Sequence, residues 1–192
     1  MRIRSGSAIS AILSLVFVAS MVTPARAATV TVVDFSFSPG HVKVAQGGSV
    51  SWDNGGTHTH TSTYNGALAL WNTGNIAPGT TSNSVTLRAA GTYPYHCTIH
   101  TQMTGSVKVP IKVSVSGGTA TITLASATQS AFSYDVQKMV GSGSWTSWKT
   151  GVTTRMVTFS GSAGTYSFRS RLHRDSNDTT SKWSPSKTIT IS

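Results

Sequence analysis

The chain has 192 residues, 38% of them hydrophobic, and carries 15 lysines and arginines against 5 acidic residues, a formal charge of +10. That length suits one domain or two small ones, and a single cysteine excludes a disulfide-stapled framework. Beyond residue 27 no stretch approaches the roughly 20 consecutive apolar residues that a membrane-spanning helix needs.

Residues 1 to 27 read as a secretory leader. Arg2 and Arg4 form its charged start, Ala8 to Val22 its apolar run, and Ala25-Arg26-Ala27 its small-residue cleavage pattern. The mature chain is expected to begin near Ala28 and to be a soluble secreted or periplasmic protein. Loss of the leader's three arginines leaves 12 basic residues against 5 aspartates. Export argues against a nucleic-acid partner despite that charge.

From Ala28 onward, closely spaced turn signals, abundant Thr, Val and Ser, and the lack of helical periodicity predict an all-β chain. It divides into two consecutive β-sandwiches, residues 28–110 and 111–192, each large enough for its own core. Pro110 marks the seam. Ser106-Val107-Lys108-Val109 reads as the last strand of the first unit and Ile111-Lys112-Val113-Ser114-Val115 as the first strand of the second. With almost no linker between them, the two units should have little mutual freedom.

Two segments of the first unit carry metal chemistry. Asn54-Gly55-Gly56-Thr57-His58-Thr59-His60-Thr61-Ser62 offers two histidines, and Tyr95-His96-Cys97-Thr98-Ile99-His100-Thr101-Gln102-Met103 offers a thiolate, an imidazole and a thioether from one short loop. Two imidazoles, one thiolate and a weak axial thioether suit copper cycling between Cu(I) and Cu(II), since the sulfur ligands favour the reduced ion and imidazole tolerates both. Tyr93, Tyr95 and Cys97 alternate, so on a strand they share the core face while His96 points away as a surface group. The same alternation puts His58 and His60 on one face and does not choose between them. His41, beside Gly40 at a strand entrance, is expected to be solvated.

The first half resembles the cupredoxins of the amicyanin and plastocyanin type. Phe35-Ser36-Phe37-Ser38-Pro39, the Val42/Val44 alternation, Gly47-Gly48 and Val50-Ser51-Trp52-Asp53-Asn54 look like that family's opening strands. Ile76-Ala77-Pro78-Gly79 and Gly91-Thr92-Tyr93-Pro94-Tyr95-His96-Cys97 look like its later turn and ligand-bearing strand, and the C-x2-H-x2-M spacing is that of its shortest ligand loops. The resemblance implies one type 1 copper ion held by His58, Cys97, His100 and Met103, with His58 taken from the family's His-Thr-x-Thr-Ser pattern. It also implies outer-sphere electron transfer with a redox protein partner, the edge of His100 serving as port, and Ile99 and Trp71 in the surrounding apolar patch.

The second half resembles a fibronectin type III module. Ala120-Thr121-Ile122-Thr123-Leu124 looks like its second strand, Tyr134-Asp135-Val136-Gln137 its third, Tyr166-Ser167-Phe168-Arg169-Ser170-Arg171 its sixth, and Trp183-Ser184-Pro185-Ser186 the approach to its last. Ser126 stands where that family commonly has a core tryptophan, so Trp145 or Trp148 is expected to fill the volume. Trp183 with Arg169 and Arg171 should form a stacked ladder of cations and rings. This half holds nine basic residues against three aspartates, which suits an anionic wall polymer, a polysaccharide or an acidic redox protein. It has no clustered carboxylates and no paired nucleophile and base, so a spacer or docking role is expected rather than catalysis.

Other readings are weighed against the same residues. A multicopper oxidase or nitrite reductase needs a His-Cys-His bridge, but Thr98 follows Cys97 and only one His-x-His pair exists among six histidines. The protein is therefore expected to be a monomeric, non-enzymatic carrier, the alternative being an extracytoplasmic copper carrier or storage protein.

Overall fold

In the computed structural model, which describes residues 27–192, the alternating apolar residues of the first half turn inward and leave their polar neighbours outside. The expected leader lies outside the described residues but for Ala27. Among the described residues every regular element is a strand, so none is a helix that could cross a membrane.

Eight strands build the first half: β1 (Ala28–Val33), β2 (Ser36–Ser38), β3 (His41–Lys43), β4 (Gly48–Asn54), β5 (Thr63–Tyr64), β6 (Val85–Leu87), β7 (Gly91–His96) and β8 (Thr104–Val109). They form two four-stranded sheets, in the orders β2-β1-β4-β6 and β3-β8-β7-β5. β1 runs parallel to β4 and β3 parallel to β8, while the other pairs are antiparallel. Along β4 the buried positions are Gly48, Val50, Trp52 and Asn54; along β7 they are Gly91, Tyr93 and Tyr95. The alternation brings aromatic rings from both sheets together. Trp52 meets Tyr95 edge-on at 5.2 Å between ring centroids and stacks on Trp71 at 5.9 Å, and Phe37 closes on Tyr95 at 4.9 Å. Gly105, opposite Tyr95 on β8, has to lack a side chain because a Cβ there would collide with the Tyr95 ring.

The second half continues with β9 (Lys112–Ser116), β10 (Thr119–Thr123), β11 (Phe132–Val140), β12 (Thr146–Val152), β13 (Met156–Ser160), β14 (Gly164–Arg174), β15 (Thr179–Thr180) and β16 (Lys187–Ile191). One sheet is β13-β10-β9; the other runs β12-β11-β14, with β16 and β15 pairing the two ends of β14. Tyr166, Phe168, Ser170 and Leu172 of β14 are buried, whereas Arg169 and Arg171 lie on the outer face.

The tryptophans divide between these two faces. Trp148 packs edge-on against Phe159 at 5.5 Å and against Phe168 at 5.4 Å, so it is the one that fills the core. Trp145 instead covers the Arg169 guanidinium at 4.3 Å. Trp183 lies 5.3 Å from Arg169 and 4.6 Å from Arg171, which completes an outer ladder of alternating rings and cations.

The seam is close. Buried Gln46 reaches from the first half to donate to the carbonyls of Pro110 and Thr123 at 3.3 and 2.8 Å. Backbone bonds from Ala90 N–H to Leu124 O, Ser126 N–H to Arg88 O and Thr92 N–H to Lys182 O cross it at 2.8–2.9 Å. Buried apolar residues of the two halves belong to one continuous cluster.

Replacement of Trp148 by Ala should destabilise the protein by about 3 kcal/mol, the low end for truncating a large aromatic side chain that is not fully enclosed. Trp145→Ala should cost about 1 kcal/mol, the scale of a surface cation–π contact. Urea unfolding of the two variants, read against wild type, checks this order; equal losses would contradict it.

Candidate metal centre

Cys97 follows the last residue of β7 and is fully buried. Its N–H donates to Met103 O at 3.1 Å, and Met103 N–H donates to His100 O at 2.9 Å. Residues 97–103 thus close on themselves as a tight loop before β8 begins. His100 is half-buried in this loop, and Met103 is buried at its end.

The upstream histidine comes from a segment fixed by backbone pairing. His60 N–H donates to Ile76 O at 3.1 Å and Ile76 N–H returns the bond to His60 O at 2.7 Å. Asn54, fully buried at the end of β4, donates through Nδ2 to both His58 O and Ile76 O at 2.8 Å. These bonds hold the backbone so that the His60 side chain is wholly enclosed.

Three donor atoms converge there. His60 Nδ1 lies 3.8 Å from Cys97 Sγ, His100 Nδ1 lies 3.9 Å from it, and the two nitrogens are 3.1 Å apart. A triangle with these edges has its centre about 2.1 Å from each corner, inside the roughly 2.0–2.3 Å range of nitrogen and thiolate bonds to a first-row metal ion. The donor set is one that a single ion satisfies. Cys97, His60 and His100 form such a group of potential ligands, with Met103 the next soft donor along the loop.

His58 does not join them. Its side chain is 55% exposed, its Nδ1 lies 3.2 Å from both Thr57 Oγ1 and Asp34 Oδ1, and its ring centroid is 6.2 Å from that of His100. The cluster therefore has His60 at the place that the family pattern gives to His58. Alternation does not apply here because residues 56–58 form a bend rather than a strand; the inward face is set at residue 60, by its pairing with Ile76. His96 is half-buried on the face opposite Cys97, and His41 is exposed, 3.0 Å from Ser106 Oγ. Trp71, expected in a surface patch, is buried in the core, where its Nε1 donates to Ser62 Oγ at 3.2 Å.

Three residues around the centre are not among the expected ligands or the expected port. Thr61 is the first: its N–H donates to Cys97 Sγ at 3.3 Å, and its Oγ1 accepts from Thr98 N–H at 2.8 Å. Asp34 is the second. Its carboxylate accepts from Thr57 Oγ1 at 2.6 Å and from the N–H groups of Thr57 and His58, and these bonds, the Thr57 hydroxyl first, hold its pKa well below the usual carboxylate range. The close approach requires Gly56, since a Cβ there would strike the carboxylate.

Asp34 Oδ1 also lies 3.5 Å from His60 Nε2, a buried nitrogen with no hydrogen-bond partner. A carboxylate this near the far nitrogen of an imidazole is placed to orient the ring with Nδ1 turned to the other donors. Phe35 is the third residue. It is 51% exposed, adopts a left-handed φ of 68°, and sets its ring edge-on to His100 at 5.1 Å. Its sequence context marks an opening strand and not a place beside His100, which depends on the chain reversal between β1 and β2.

The family of the cupredoxin-like domain matches residues 7–109. Among solved structures, a reduced Cu(I) variant of amicyanin is 27% identical at a TM-score of 0.41, covering 43% of this chain and 81% of that one. An oxidised amicyanin variant is 26% identical at 0.41 over the same shares. A purple cupredoxin from Nitrosopumilus maritimus is 20% identical at 0.40, covering 43% of this chain and 98% of its own. No curated protein matches the chain.

The two histidines give a direct test. His60→Gly should abolish stoichiometric high-affinity metal binding or leave a position that added imidazole refills, whereas His58→Gly should bind copper as wild type does. Titration followed optically, with and without imidazole, distinguishes them; the opposite pattern would return the ligand role to His58.

Proposed function

The chain belongs to the cupredoxin-like family, and on that premise we propose that it is an exported type 1 copper protein that carries single electrons between redox partners, with His60, Cys97, His100 and Met103 as its ligands. The observation that carries the reading is the convergence of Cys97 Sγ with two imidazole Nδ1 atoms at the edge lengths of a trigonal site. Copper held there supplies a one-electron couple between its two common oxidation states.

The protein's own groups do the rest. Cys97 and His60 are enclosed by packed side chains, which keep water from the donors. Backbone bonds fix both ligand segments, so the donors need not rearrange when the charge at their centre changes. Asp34 faces the far nitrogen of His60, and Thr61 donates its N–H to the Cys97 sulfur. His100 is the least buried of the clustered donors, and Phe35 and Ile99, 51% and 48% exposed, provide apolar surface beside it. A partner docking on these side chains would exclude water around the His100 ring, which makes that ring the electron port.

The reading of residues 111–192 as a fibronectin type III-like docking module is supported by a three-stranded sheet facing a larger one, in the orders β13-β10-β9 and β12-β11-β14-β16. Its surplus of basic residues favours an anionic wall polymer, polysaccharide or acidic redox protein as partner. The seam at Pro110 divides this module from the copper-binding one.

Copper-loaded protein should be intensely coloured with a narrow copper hyperfine splitting, and Cys97→Ser should abolish both. It should also exchange electrons with itself rapidly while keeping Cu(I) against a competing chelator. A pale tetragonal spectrum would contradict the site assignment; slow electron exchange with rapid loss of Cu(I) would make the protein a copper carrier instead.

A further inference from the structure

A cleft of 310 Å³ lies on the seam, away from the metal centre, with walls contributed by both halves of the chain. Leu70 and Val85 face it from the first half, Phe132 and Leu172 from the second, and Arg88 and Arg174 complete the lining. Its volume falls at the lower end of the range of about 300–1,000 Å³ typical of small-molecule sites.

The charge of this cleft is uncompensated. No lining residue is acidic, and neither Arg88 nor Arg174 makes an ion pair among the described residues. Arg174 is held in place on one side: its Nη2 donates to Leu68 O, and its guanidinium lies over the Phe132 ring at 5.0 Å. Its Nε is buried with no hydrogen-bond partner. Two guanidinium groups without an acidic partner, set beside apolar walls, make an arrangement that a carboxylate completes.

From this geometry we infer that the seam cleft binds a small organic acid, one carboxylate on a flat apolar body. The carboxylate engages Arg174 with Arg88 at the rim, and the body packs against Phe132, Leu172 and Leu70. Since both halves supply wall residues, an occupant bridges them and adds to the bonds that already cross the seam. The site is independent of copper.

Calorimetric titration of the full-length protein with indole-3-acetate, and with the neutral indole-3-acetamide, tests the inference. One acid molecule per chain should bind saturably, the amide about tenfold more weakly, and Arg174→Met and Arg88→Gln should each weaken the acid by about tenfold, the scale of one lost charge-assisted hydrogen bond. Arg174→Met also removes the donor to Leu68 O, so Arg88→Gln, at an exposed position, serves as the variant that retains the fold. Absence of saturable binding, equal affinity for acid and amide, or unchanged affinity in Arg88→Gln would each overturn the proposal.

Discussion

Thr61 joins the two segments on which the metal centre depends. Its N–H reaches Cys97 Sγ at 3.3 Å while its hydroxyl receives Thr98 N–H at 2.8 Å, so one residue fixes the distance between the His60 segment and the Cys97 loop. The ligands come from chain segments 37 residues apart, and without such a tie the enclosed imidazole would have no fixed place relative to the sulfur. Everything else at the site extends this tie. Ile76 fixes the backbone of His60, Asn54 fixes Ile76 and the bend before it, and the self-closed loop from Cys97 to Met103 delivers His100. The aromatic core formed by Trp52, Trp71 and Tyr95 supports both segments from beneath.

Much of this was legible in the residues. Period-two alternation identifies β4 and β7 and puts Tyr93, Tyr95 and Cys97 on one face, because both sheets bury one side and the pattern has a single satisfactory register. The Cys-His-Met loop was equally legible, since its chemistry is local. The expectation of His58 and the observed cluster part where the backbone leaves the strand conformation: Gly56 and the Asp34 carboxylate produce a bend that no periodicity anticipates. Trp71 failed for a related reason. The resemblance puts this tryptophan in the apolar patch around His100, yet stacking on Trp52 and bonding to Ser62 draw it inside.

In the second half, sequence alone left Trp145 and Trp148 as equal candidates for the core. Cross-strand geometry separates them: one ring meets Phe159 and Phe168, the other covers an arginine on the outer face of β14. The absence of a linker at Pro110 has a structural counterpart in the bonds made by Gln46, Ala90 and Thr92 across the seam. Such a junction holds the second half at a fixed place relative to the first, so a partner bound there would meet the His100 face in a limited set of orientations.

The central claim is that this chain holds its donors in nearly the final trigonal arrangement whatever the charge at their centre. X-ray absorption at the copper edge, measured on the oxidised and the reduced protein, tests it most directly. Two nitrogen scatterers and one sulfur at about 2.0–2.3 Å, the usual range for these donors on a first-row ion, are expected in both states with little change between them. A third short nitrogen in the oxidised protein, or a nitrogen lost on reduction, would contradict the account.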